Sequence, residues 1–97
     1  MRKILVLDDE TEFCDRIAEM LRLRNYLVKA VYGLGQARVA LELESFDVVL
    51  LDVFLQDGSG VDLLGEIRKR WPETAIIMMT GMEDVRTAIE CIRLGAE

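Results

Sequence analysis

At 97 residues, 52% hydrophobic and 31% charged, the chain suffices for one compact domain with a buried core, residues 1–97, and is too short for two of ordinary size. Its 18 acidic residues outnumber 12 basic ones for a net charge of −6, which argues against a nucleic-acid-binding surface, since phosphate contacts need clustered cations. The sequence contains no histidine, so imidazole bases, nucleophiles and metal ligands are excluded and any chemistry falls to carboxylates, hydroxyls or thiols.

In chain order, residues 4–7 form a short apolar run that reads as a first strand, followed by Asp8-Asp9-Glu10. The segment before Asp8 is too short for a signal peptide, and no stretch approaches the ~18 apolar residues of a membrane span, so a cytoplasmic protein without a membrane partner is expected. Phe13, Ile17 and Leu21 recur at helical spacing and predict a first helix. Residues 27–31 read as a second strand and residues 34–43 as a second helix. Residues 48–51 are apolar throughout, as a strand buried on both faces should be, and they lead directly into Asp52. Asp57-Gly58-Ser59-Gly60 supplies turn chemistry. Leu63, Leu64 and Ile67 mark the buried stripe of a third helix, closed by Trp71-Pro72 because the residue before proline disfavours helical geometry. Residues 75–79 predict a fourth strand ending at Thr80-Gly81, and Val85, Ala88, Ile89 and Ile92 a fourth helix. Cys14 and Cys91 lack the Cys-x-x-Cys spacing of zinc or redox sites and read as reduced small hydrophobes.

Strict alternation of strands and helices predicts an α/β fold with a parallel sheet flanked by helices on both faces. Ligands of such sheets bind beyond the carboxyl ends of the strands, where Asp8, Asp9, Asp52 and Thr80 would converge if the strand order is the common 2-1-3-4. Two carboxylates ~4 Å apart repel by ~4 kcal/mol at an effective dielectric of 20, and such crowding calls for a cation. An all-oxygen donor set favours Mg²⁺, which accepts few carboxylates and bridges phosphate oxygens. Asp52 is then a candidate nucleophile for phosphoryl transfer.

Three segments carry a family resemblance: Ile-Leu-Val-Leu-Asp8-Asp9-Glu10, then Val-Val-Leu-Leu-Asp52-Val-Phe-Leu-Gln-Asp-Gly-Ser-Gly, then Ile-Ile-Met-Met-Thr80-Gly81. Together they resemble the receiver domain of bacterial two-component response regulators, a flavodoxin-like fold. The resemblance implies that a sensor histidine kinase phosphorylates Asp52. It implies that Asp9 ligates Mg²⁺ directly, Asp8 through water, and that Asp52 and the main-chain carbonyl of Phe54 contribute. Thr80 would close on the phosphoryl oxygen, and small Gly81 would leave the site open. Such a module is a phosphoacceptor that assists its own phosphotransfer, not a multiple-turnover enzyme.

The chain departs from the family in lacking the lysine that follows a fifth strand: it ends at Leu-Gly-Ala-Glu97, and Lys3, Lys29 and Lys69 sit at unsuitable positions. The expectation is a receiver without its fifth βα unit, impaired in switching, whose fourth strand is an open edge through which copies self-associate. Gln56 stands where many receivers have proline. Plainer readings stand beside these. Asp9-x-x-Glu12, Ser59-x-x-Asp62 and Thr80-x-x-Glu83 all fit helix capping boxes, the second better than it fits a site. Arg16, Arg22, Arg24, Arg68 and Arg70 read as solvated helix faces. Competing functions are a non-phosphorylated interaction or self-assembly module, a small Mg²⁺-dependent phosphatase and, last, a flavin binder whose phosphate the acidic rim would repel.

Overall fold

The computed structural model describes residues 2–52, 54–55 and 58–78. Along the chain run β1 (Lys3–Leu7), α1 (Thr11–Leu23), β2 (Leu27–Val31), α2 (Leu34–Leu43), β3 (Val48–Leu51), β4 (Phe54–Leu55), β5 (Gly58–Ser59), α3 (Gly60–Arg70) and β6 (Ala75–Met78). The main sheet is parallel, in the order β2-β1-β3-β6, so the expected 2-1-3-4 arrangement holds with β6 as its fourth strand. Met79, Thr80, Gly81, Cys91 and the expected fourth helix lie outside the described residues.

The strand sequences explain their places. Ile4 to Leu7 in β1 and all of β3 are fully buried, which only central strands covered on both faces achieve. Outer β2 alternates exposed and half-buried residues until Val31, and β6 is half-buried along its length. Side chains of alternate parity feed two cores. Ile4, Val6, Val48 and Leu50 pack against Cys14, Ile17 and Leu21 of α1. Leu5, Leu7, Val49 and Leu51 pack against Leu34, Ala37, Ala40 and Leu41 of α2 and Leu63 and Ile67 of α3. Helices therefore cover both faces.

The helix ends follow from local chemistry. Asn25 adopts the left-handed conformation (φ 70) that closes α1, with Asn25 N–H donating to the Arg22 carbonyl at 3.0 Å and Tyr26 N–H to Leu21 at 3.2 Å. Before α2, the Tyr32 N–H donates to Gln36 Oε1 at 2.9 Å. α3 stops at Arg70, immediately before Trp71-Pro72, as the proline requires. Arg38 of α2 makes a two-pronged pair with Glu66 of α3 at 2.9 and 3.1 Å, and Arg70 pairs with Glu42.

Two details go beyond the expected elements. The fully buried positions of α1 are Cys14, Ile17, Ala18 and Leu21, and Phe13 is half-buried and packed against the same core, so Phe13, Ile17 and Leu21 share the inward face that their spacing predicts. The segment after Asp52 is more than a turn: Phe54 pairs with Ser59 and Leu55 with Gly58 in an antiparallel two-stranded ladder.

Candidate metal centre

Parallel pairing sets the site. Leu7 lies opposite Leu51 across β1 and β3, so Asp8 and Asp52 leave adjacent strands at the same level. The hydrogen-bond ladder continues one residue past each strand, with Asp52 N–H donating to the Leu7 carbonyl at 3.0 Å and Asp8 N–H to the Val31 carbonyl at 3.2 Å. Asp8 is only 5% exposed, and Asp9 and Asp52 are half-buried. One carboxylate oxygen from each of Asp8, Asp9 and Asp52 lies within 4.8 Å of the others. At that separation two full charges repel by roughly 3–4 kcal/mol at an effective dielectric of 20.

Burial is the main reason the Asp8 carboxyl is pushed up to about 6. The hydrogen bond that Asp8 Oδ1 accepts from Glu10 N–H, at 2.9 Å, pulls the other way, and the charges of Asp52 and Asp9 raise it further. The start of α1 decides between cap and site. α1 begins at Thr11 with Glu10 in the capping position and no side-chain cap, so Asp9-x-x-Glu12 is not a capping box. Beneath the cluster, the buried Cys14 thiol donates to the carbonyls of Val31 (3.6 Å) and Val6 (3.7 Å) and is a free thiol pushed up to about 12, chiefly by burial. It is an inert core group.

Three converging carboxylates, with no nitrogen or sulfur donor joining them among the described residues, match the preference of a hard divalent cation, and such an ion would relieve the repulsion that adds to the effect of burial on Asp8. Phe54, expected to lend its carbonyl, opens β4 two residues beyond Asp52. Thr80 and Gly81 lie outside the described residues. Lys3 and Lys29 pair with Glu44, Lys29 at 3.8 Å, and Lys69 is in the last turn of α3, so none of the three stands at the acidic rim. The hairpin β4–β5 was the element missed from sequence. Its strands, two residues each, are too short to show alternation, and Gly58 belongs to the second of them rather than to the connection.

Residues 4–97 match the family model described as the response regulator receiver domain. The chain belongs to that family. This receiver domain is 30% identical over 95 residues to the acid tolerance regulatory protein ActR of Rhizobium meliloti (strain 1021), covering 98% of this chain and 49% of ActR. It thus spans about half the length of that relative. Among solved structures, it is similar to a CheY-like receiver domain protein from Methanospirillum hungatei with a TM-score of 0.82 and 29% identity, covering 100% of this chain and 78% of that one. The response regulator TrrA from Thermotoga maritima, in complex with Mg(2+)-BeF, matches with a TM-score of 0.79 and 28% identity over 94% of this chain and 79% of TrrA. Among the described residues of the receiver domain, no helix is long and apolar enough to cross a membrane.

Proposed function

We propose that this receiver domain accepts a phosphoryl group on Asp52 from a sensor histidine kinase in the cytoplasm, with Mg²⁺ held by Asp8, Asp9, Asp52 and the Phe54 carbonyl. The observation that carries the reading is the meeting of three carboxylates within 4.8 Å at the carboxyl end of the two central strands. The Mg(2+)-BeF complex of TrrA supports it by analogy.

Bound there, a divalent cation neutralises the charge developing on the transferred phosphoryl group. The chain's own residues do the rest. Asp52, its backbone fixed by the bond to Leu7, presents a carboxylate oxygen that forms the new O–P bond. The P–N bond to the kinase histidine breaks, and the imidazole leaves with the electron pair and takes up a proton. Asp8 and Asp9 complete the oxygen set, and Thr80, outside the described residues, is assigned to the transferred group by the family resemblance alone. In this reading the domain is a phosphoacceptor that assists its own phosphotransfer, not a multiple-turnover enzyme.

Mass spectrometry after incubation with acetyl phosphate and Mg²⁺ tests this. The wild-type chain gains one phosphoryl group, and Asp52→Asn gains none. Equal modification of both proteins, or of neither, overturns the assignment.

A further inference from the structure

We infer that Gly58 is a positioning residue for the metal site: through its contact with Leu34 it seats the β4–β5 hairpin, and so fixes the backbone of Phe54. This rests on the proposed site, in which the Phe54 carbonyl is an oxygen ligand.

Gly58 has φ +147, a conformation that side-chain-bearing residues rarely adopt. A Cβ placed there would lie 2.7 Å from Leu34 Cδ1. That methyl group has little freedom to retreat, because Leu34 is 5% exposed and packed in the same core as Leu7, Leu51 and Leu63. Gly58 is paired with Leu55, which packs against that core, and the adjoining pair is Ser59 with Phe54. The chain leaving β3 is therefore tied at two points. Asp52 is tied to β1 by its N–H bond to Leu7, and the hairpin is tied to the start of α2 by the close approach of Gly58 to Leu34. The Phe54 carbonyl lies on the stretch between these ties. A side chain at position 58 must displace either β5 or Leu34, and a shift of β5 carries β4 with it through their ladder.

Calorimetric titration with Mg²⁺, alongside thermal unfolding of the metal-free protein, tests the inference. Gly58→Ala is expected to weaken Mg²⁺ binding about tenfold, the scale on which a group supporting a metal ligand acts, while unfolding stays cooperative. Leu34→Val, which alters the seat and leaves the glycine, is expected to weaken binding in the same direction and serves should Gly58→Ala fail to fold. Ile67→Val, a change on α3 in the same core that leaves Leu34 and the hairpin residues unaltered, should bind Mg²⁺ as the wild type does. Wild-type affinity in folded Gly58→Ala or in Leu34→Val, or an equal loss in Ile67→Val, overturns the role of Gly58. Absence of Mg²⁺ binding by the wild type is a separate outcome, which overturns the metal site on which the inference rests.

Discussion

The two ends of the central sheet treat charge in opposite ways. At the amino end of the strands, Lys3 and Lys29 meet Glu44, the Asp47 carboxylate accepts the Lys3 N–H at 2.8 Å, and Lys3 also lies 5.6 Å from the centre of the Phe46 ring. Opposite signs alternate there, and Lys3 holds the Glu44 carboxyl below its usual range. At the carboxyl end, Asp8, Asp9 and Asp52 crowd together, and the most buried of them is raised. The same strands and the same register build both ends, so the fold itself does not demand the acidic crowding. A cluster that costs folding energy in the metal-free state is what a cation site requires.

The contrast breaks most sharply at Asp9. Asp9→Asn should weaken Mg²⁺ binding by at least about tenfold, measured calorimetrically, with little change in the metal-free melting temperature. Asp8→Asn comes next and should act in two directions. It keeps an oxygen for the Glu10 N–H yet removes a buried charge, so metal-free stability at pH 7 should rise by roughly 1–3 kcal/mol in denaturant unfolding, while Mg²⁺ affinity falls. The pH dependence follows from the same group. Folded Asp8 holds its proton up to about 6 against an ordinary value of 3.8, so its contribution to metal-free stability is fully present below about 4 and is lost as pH rises through about 6. Melting curves between pH 4 and pH 7 should show that loss in the wild type and a flatter profile in Asp8→Asn. The smallest effect belongs to the other end. Glu44→Gln breaks an exposed pairing, and the slight fall in melting temperature should vanish in high salt. A large, salt-resistant loss there would erase the difference between the ends.

Much of this was legible because burial on two faces leaves a plain mark: residues 48–51 are apolar without interruption, and a carboxylate directly after such a run stands out. The bounds of α2, Leu34–Leu43, matched the expected ones. That Asp8 and Asp52 are neighbours was not legible, since adjacency depends on strand order, which no local pattern records; it came from assuming the common arrangement. The register of α1 was half legible. Helical period placed Phe13, Ile17 and Leu21 on the inward face, but small Cys14 and Ala18 weigh less in the pattern than Phe13, although they are fully buried and Phe13 is not. The hairpin escaped because two-residue strands have no period, and the demand on Gly58 is set by Leu34, 24 positions earlier in the chain.

The ladder bonds beyond the strand ends have a kinetic side. The amide protons of Asp8 and Asp52 are each bonded to a carbonyl of the adjacent strand, although their side chains stand at the rim. Amides held this way at the centre of a sheet exchange with solvent only when the most stable cooperative unit opens, whereas short outlying ladders such as β4–β5 open far more readily. Deuterium uptake should therefore be slow at the amides of Asp8 and Asp52 and faster at the two-residue β4–β5 ladder, so that the backbone of the nucleophile stays fixed at the rim.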